Sequence, residues 1–130
     1  MDVTLFHQIK TNVMIQIKHR YTGEIIFAIN TETLKGANLR GAYLRYADLS
    51  GVDLSGSNIS DAYLSDADLS NANLSDANLS DAYLRGASLK GANLKGANLK
   101  ETDLRKSYLN GACFEGANLM GANIEGANFS

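Results

Sequence analysis

The residues that could carry chemistry in this 130-residue chain are a run of serines, one cysteine and two histidines. Serine recurs every five residues from Ser50 to Ser80, but no histidine or lysine stands near to accept a hydroxyl proton. Cys113 has no neighbouring histidine, so we interpret it as an incidental thiol. His7 and His19 have no second ligand at a metal-binding spacing. We therefore predict no catalytic residue, no metal site and no cofactor.

Several short motifs imitate functional sites. Four Asn-X-Ser triplets match the glycosylation sequon, and GANLKG copies the outer spacing of a phosphate loop without its Lys-Ser/Thr. The stretch from Asp66 to Asp68 lacks the further oxygen ligands and the terminal glutamate of a calcium loop. All of them lie at fixed positions of a five-residue repeat, so we interpret them as accidents of that repeat.

Composition limits the classes of partner. With 12 basic and 14 acidic residues the chain has a net charge of -2, which excludes a strongly basic surface of the kind that binds nucleic acid without sequence specificity. No apolar run approaches the ~20 residues that span a bilayer, and MDVTLFHQIK lacks the layout of a signal peptide. A single cysteine suits a reducing compartment. We expect a soluble cytoplasmic protein.

A five-residue period, A-(N/D)-L-X-X, runs through residues 31–130. Its central position is apolar from Leu34 to Phe129, and the position two residues earlier is small from Ala37 to Ala127. Every glycine except Gly23 lies two residues after a central position. The repeat therefore has two candidate core positions and one position with turn chemistry in each pentad.

This period excludes ordinary helices and strands. On an α-helix five residues turn the chain by ~140°, so no apolar stripe forms. On a straight strand five is odd, so successive leucines would lie on opposite faces. Within one pentad, however, the alanine and the leucine are two residues apart and share a face. The chain must therefore bend once per pentad and close into stacked coils.

Repeats at twenty residues set the size of a coil. Tyr43, Tyr63 and Tyr83 recur at this spacing, which predicts four pentads per coil and five coils with a height of ~24 Å. The runs GANLKGANLK and DANLSDAYL resemble the pentapeptide-repeat family. The resemblance covers residues 31–130 and implies an all-β, right-handed quadrilateral β-helix with the leucine and alanine positions in its core.

Residues 1–30 do not repeat and are predicted to form a separate N-terminal cap. Apolar residues alternate on both sides of a turn at residues 21–24, which predicts a β-hairpin. The alternating residues are Val13, Ile15 and Ile17 before the turn and Ile25, Phe27 and Ile29 after it. Such a hairpin would cover the unpaired edge of the first coil.

One outward face is the strongest candidate for binding a protein. It combines stacked aromatic residues with an acidic and a basic margin, a mixture that favours partner binding. Its residues are Tyr43, Tyr63 and Tyr83, with Asp61 and Asp81 on one side and Arg45, Arg85 and Arg105 on the other. The alternative is that the tyrosines only stack and stiffen the sheet. The asparagine ladder from Asn38 to Asn118 is interpreted as amide pairing between coils.

A second functional hypothesis comes from the resemblance, because some pentapeptide-repeat proteins mimic duplex DNA and bind DNA gyrase. Seven aspartates and no lysine or arginine lie between Arg45 and Arg85. Most of them form a belt around two coils, and only Asp61, Asp81 and Glu101 align along the column. We therefore rank a DNA mimic below an interaction module of unknown partner. Ice binding is disfavoured because threonine ladders are missing.

The last coil concentrates large apolar side chains. They are Phe114, Leu119, Met120, Ile124 and Phe129. We expect a homodimer joined through these ends, since a two-fold contact covers the same patch on both copies. The resemblance points the same way, because gyrase-protecting members dimerise through their C-terminal ends. The alternative is a monomer in which Phe129 folds over the end of the column.

Overall fold

A computed structural model describes residues 14–130. The chain begins there with two antiparallel strands, β1 (Met14–Lys18) and β2 (Ile25–Asn30). Gly23, with φ of 76°, lies in the turn, where its amide donates to the His19 carbonyl. The predicted hairpin is therefore confirmed, except that Val13 lies outside the described residues.

The side-chain pattern of β2 differs from the prediction at its first residue. Ile17 pairs with Phe27, but Lys18 pairs with Ile25, so Ile26 is an extra residue at a β-bulge. An extra residue reverses the side-chain alternation on its N-terminal side. Ile25 is consequently exposed, and Ile26 packs against the core in its place.

The repeat forms a column of stacked coils with four outward faces. Every parallel bridge joins a residue to the one twenty positions later, from Asn38 and Asn58 to Tyr108 and Asn128, which confirms four pentads per coil. We name the faces by their outward residues. The asparagine face carries Asn38, Asn58, Asn78, Asn98 and Asn118; the tyrosine face Tyr43, Tyr63, Tyr83, Asp103 and Asn123; the third face Asp48, Asp68, Ser88, Tyr108 and Asn128; and the fourth face Asp53, Asn73, Asn93 and Cys113.

The core lies inside the coils, as predicted. Leucine or isoleucine at the central position is buried from Leu34 to Leu109, and every alanine from Ala42 to Ala97 is buried with it. Three small polar residues replace alanine without leaving a free hydroxyl, because each donates to a main-chain carbonyl. They are Ser57 to Leu54 (2.6 Å), Thr102 to Leu79 (2.8 Å) and Ser107 to Leu104 (2.6 Å).

The corners explain the position of glycine in the repeat. The second turn residue of every pentad, from Gly36 to Gly126, has a φ between 56° and 75°. The amide of Ala37 donates to the Leu34 carbonyl at 3.0 Å, as in a type II turn, which requires a positive φ at this position. Eight corners place another residue in this strained region, most often aspartate or asparagine.

The hairpin is attached to the third face of the column. His19 and Ala47 form an antiparallel bridge, the Arg20 amide donates to the Tyr46 carbonyl (2.7 Å), and the Asp48 amide donates to the Lys18 carbonyl (2.8 Å). The hairpin thus covers the edge of the third face and places its turn beside the corner at Tyr46. In the described part of the chain no helix is present that could cross a membrane.

Candidate interaction surface

The tyrosine face presents three parallel rings to solvent. Centroids of Tyr43 and Tyr63, and of Tyr63 and Tyr83, lie 5.0 Å apart with interplanar angles of 14° and 8°. The strand spacing of the column sets this distance, because each ring stacks on its equivalent one coil away. Tyr63 and Tyr83 are 41% and 46% exposed despite the stacking, and Tyr43 is 74% exposed. The result is an ordered aromatic surface that is open to solvent.

The acidic margin of this face is partly neutralised. Asp61 and Asp81 lie at corners beside the tyrosines, and both have positive φ. The Arg40 Nε donates to Asp61 Oδ2 at 3.1 Å, on the surface of the column. A paired carboxylate contributes less to the field along the column than the sequence suggests.

On the basic margin, the three predicted arginines differ in their availability. Arg105 donates from Nε and Nη2 to Asp103 at 2.8 and 2.7 Å, which lowers the pKa of the Asp103 carboxyl and raises that of the guanidinium. Arg45 Nη2 lies 3.8 Å from Asp66 Oδ2. Among residues 14–130, Arg85 has no carboxylate oxygen within 4 Å. Arg85 is therefore the arginine of this margin that forms no direct ion pair in the described part of the chain.

A groove lies around the corner from the tyrosines, between the tyrosine face and the third face. It consists of two adjoining cavities of about 600 and 400 Å³, which share Asp66, Gly86 and Tyr108. We call it the corner groove. The remaining lining residues are Arg45, Tyr63, Ser65, Arg85 and Lys106 in the larger cavity and Arg20, Tyr21, Tyr46, Ser88 and Lys90 in the smaller.

Hairpin and column meet in the smaller cavity through an aromatic cluster. The rings of His19 and Tyr46 stack with centroids 5.1 Å apart, and Tyr21 lies 6.2 Å from Tyr46. Arg20 Cζ lies 4.9 Å from the centroid of Tyr21, within the range of a cation–π contact. Tyr46 has a φ of 62°, which is unusual for a bulky residue. This cluster holds Tyr46 in a corner that other coils fill with glycine, aspartate or lysine.

Most residues that line the corner groove were not predicted as site residues from the sequence. The tyrosine at position 46 was a usable signal, because it replaces the glycine or aspartate typical of corners. Nothing in the sequence places Arg20 and Tyr21 at this groove. The hairpin does not repeat, so its position on the column cannot be derived from a period.

The asparagine ladder is only partly the amide stack that we predicted. One bond between coils is present, from Asn98 Nδ2 to Asn78 Oδ1 at 3.3 Å. Along the whole of this face, Asn78 and Asn98 included, Oδ1 accepts the backbone amide two residues later, as Asn38 does from Arg40 (3.2 Å) and Asn118 from Met120 (3.1 Å). The local bond prevails because it orders fewer groups than a bond between two side chains. The serines after the leucines use the same acceptor, as Ser75 does with Asn73 (2.7 Å).

The acidic belt is also involved in local bonds. Asp68 lies 3.9 Å from Arg20 Nη2. Partial burial raises the pKa of the Asp68 carboxyl, but hydrogen bonds from Ser70 and the charge of Arg20 outweigh burial and lower it. In Asp53 the hydroxyl and amide of Ser55 lower the pKa. These carboxylates serve the turns and the hairpin contact.

The apolar residues of the last coil are partly open to solvent. Leu119, Met120, Ile124 and Phe129 are among the exposed large hydrophobic residues, and Phe114 packs against the core while only partly buried. The central position is therefore not fully buried in this coil, since no further coil is stacked on it in the described residues.

The described part of the chain also contains the cysteine and one of the two histidines considered in the sequence. It contains no group of three histidine, cysteine or acidic residues that could hold a metal ion. Cys113 is an exposed free thiol on the fourth face. His19 Nδ1 accepts the amides of Tyr21 and Thr22 at 3.1 and 3.3 Å, so it caps the hairpin turn. His7 lies outside the described residues.

These features define a parallel β-helix with an aromatic ladder on one face and a groove rich in basic residues at the neighbouring corner. Residues 33–61, 62–100 and 97–130 match the family described as pentapeptide repeats, in eight copies. The chain belongs to the pentapeptide repeat family. No curated protein matches it.

Solved structures show the same architecture. The pentapeptide repeat protein Rfr23 from the cyanobacterium Cyanothece 51142 is 33% identical with a TM-score of 0.72, covering 79% of this chain and 72% of that one. HetL, involved in heterocyst differentiation regulation in Nostoc sp. strain PCC 7120, is 40% identical with a TM-score of 0.64, covering 72% and 45%. A protein from the Arabidopsis thaliana thylakoid lumen is 40% identical with a TM-score of 0.62, covering 63% and 57%. The chain thus spans about half the length of the last two.

Proposed function

We propose that this protein is a non-catalytic interaction module that binds a protein partner through the tyrosine face and its basic margin. The observation that carries the proposal is the exposed stack of Tyr43, Tyr63 and Tyr83. Aromatic residues and arginine dominate the binding energy of protein interfaces, and a preordered stack loses little side-chain entropy on binding. The similar protein HetL is described by a role in regulation, which also favours binding over catalysis.

Site-specific photocrosslinking tests this function. Benzoylphenylalanine at position 83 keeps an aromatic ring in the stack, and the same residue at position 78 on the asparagine face is the control. In lysate of the source organism, a defined protein should crosslink from position 83 and not from position 78. The variant Tyr63→Asn, which copies Asn123 in the same ladder, should reduce that crosslink while the melting temperature changes little. Equal crosslinking from both positions would count against the tyrosine face.

The DNA-mimic hypothesis has weaker support. A mimic needs unpaired carboxylates along the column, whereas Asp61, Asp66 and Asp68 each lie within 4 Å of an arginine. A supercoiling assay with DNA gyrase tests it. Inhibition that fades with salt and is lost in Asp61→Asn/Asp81→Asn would support the mimic, because exposed charges are screened.

We further propose that the last coil forms a homodimer interface. Met120 and Phe129 are 67% and 56% exposed, and Leu119 and Ile124 add to the same apolar end. In the described residues, the amides of Phe114 and Leu119 have no backbone acceptor. A two-fold contact would place these edges antiparallel to one another, so that the edge amides and the apolar side chains are covered together.

Sedimentation equilibrium at micromolar concentration tests the dimer against the 14.0 kDa chain mass. We expect twice that mass for the parent and the monomer mass for Phe129→Asp. The control Tyr43→Asp also adds one charge at an exposed aromatic residue, but in the first coil, and should remain dimeric. A monomeric parent would favour the alternative in which Phe129 closes its own end.

A further inference from the structure

The corner groove is cationic in a chain whose net charge is negative. Of the described side chains that line it, five are basic (Arg20, Arg45, Arg85, Lys90 and Lys106) and only Asp66 is acidic. Asp66 is held from two sides, by Arg45 at 3.8 Å and through its carbonyl by Arg20 Nη1 at 3.0 Å. Among residues 14–130, Lys106 and Arg85 have no carboxylate oxygen within 4 Å. The Arg105 hydrogen bond and, as a smaller contribution, the charge of Arg85 lower the pKa of the Asp103 carboxyl, so Arg85 acts on that carboxylate from beyond 4 Å. The groove therefore has positive charge that is not neutralised by a direct ion pair.

Aromatic rings line the same groove at both ends. Tyr21 and Tyr46 lie at the hairpin end, and Tyr108 lies opposite with Lys90 Nζ 5.1 Å from its centroid. Gly86 forms the floor between them, where an added Cβ would meet the Asp66 carboxylate. The Asp66 carboxylate therefore occupies the space that a side chain at residue 86 would need.

The length of the groove limits what it can hold. From Tyr46 to Lys106 it crosses three coil steps, or ~14 Å at the strand spacing. An extended peptide advances ~3.3 Å per residue, so about four residues fit. Guanidinium groups pair with carboxylates in a planar fork, and the tyrosines offer contact to the peptide between its charges.

We propose that the corner groove binds an extended acidic segment of a partner protein, with aspartate or glutamate side chains against Arg85 and Lys106. This inference rests on the proposed function, since it names the chemistry of the partner segment. It assigns Arg20, Tyr21 and Tyr46 to recognition, so the hairpin contributes to the site as well as covering the coil edge.

Fluorescence anisotropy with labelled hexaglutamate tests the groove without a cellular partner. The groove variant Arg85→Ser/Lys106→Gly places in each position the residue found one coil earlier, Ser65 and Gly86. The control Lys35→Ser/Lys100→Ser removes the same charge from other corners and copies Ser55 and Ser80 of the same columns. At about 0.15 M salt, where distant charges are screened, the parent and the control should bind hexaglutamate, and the groove variant should bind about tenfold more weakly.

Three results would overturn the proposal: no hexaglutamate binding by the parent, equal loss in both double variants, or tighter binding of hexathymidylate with the same dependence on the groove. The last result would identify a nucleic-acid site. Should the double variant lose its cooperative melting, Arg85→Ser alone decides, with Lys100→Ser as its control. Failure here with intact crosslinking from position 83 removes the acidic-segment proposal and leaves the proposed function standing.

Discussion

Truncation of one leucine in the middle of the column, compared with the same truncation at its end, tests how the repeat is stabilised. Leu74 is fully buried, whereas Leu119 occupies the same position of its pentad in the last coil and is 39% exposed. Leu74→Ala removes about three methylene equivalents, or ~2.4 kcal/mol of transfer free energy at ~0.8 kcal/mol each. The cavity left in a closed coil adds to this, so we expect a loss of about 3–4 kcal/mol.

Leu119→Ala should cost only about 1–1.5 kcal/mol, because part of the side chain already meets water and no closed cavity is left. Urea unfolding followed by circular dichroism measures both, and the slope with urea checks that the column still unfolds as one unit. A difference of about 2 kcal/mol between the two variants is expected. Equal losses would refute the inference that burial by the coil stacked above sets the stability of each leucine.

Three further predictions concern the core, the corners and the carboxylates. Ala77→Leu should lower the free energy of unfolding by about 1–3 kcal/mol, since Ala77 is fully enclosed and overpacking displaces its neighbours; unchanged urea unfolding would contradict this. Gly56→Ala, at φ 66° with open space around an added Cβ, should lower the free energy of unfolding by about 1 kcal/mol through backbone strain. Gly91→Ala should lower it further, because its Cβ would also meet the Asn71 side chain. Thermal melts should therefore give Gly91→Ala the lower melting temperature of the two. The pKa values of Asp68 and Asp103 are lowered from 3.8, so their ionised forms stabilise the fold above about pH 4, and this contribution is lost as the pH falls further. The melting temperature should therefore be steady from pH 7 to 5 and fall below pH 4. In Asp103→Asn the fall of the melting temperature below pH 4 should be smaller than in the parent.

The coils could be predicted because each pentad contains the residues that determine its own turn and its own core positions. In each pentad a turn that needs positive φ is followed by a small inner residue and by a leucine two positions after it. Because neighbouring pentads repeat the same features, a deviation in one pentad does not obscure the pattern. The number of pentads per coil followed from outward residues such as Tyr43 and Tyr63, since equal side chains stack one coil apart.

The β-bulge and the hairpin contact could not be predicted in the same way. Ile25 and Ile26 are both apolar, so alternation alone does not say which one faces the core, and the bulge decides it. The register of the hairpin on residues 46–48 is set by main-chain bonds, which any sequence can make, and the side-chain contacts of His19 and Arg20 accompany them. The smaller cavity of the corner groove depends on that contact, because Arg20 and Tyr21 of the hairpin line it, whereas residues of the column alone line the larger cavity.

A partner that contacts only the repeating residues of the column has no defined position along it. Tyr43, Tyr63 and Tyr83 present nearly the same ring in successive coils, 5.0 Å apart. A partner that contacts the ladder alone could therefore shift along the column by one coil and still meet two of the three rings. The hairpin removes this ambiguity, because Arg20 and Tyr21 flank the groove at one level only, next to Tyr46. Contacts to the tyrosine face can then supply contact area while the corner groove fixes the position of the partner. Under the proposed function, the specificity of the surface would therefore lie at the junction of hairpin and column, where the sequence repeat is interrupted.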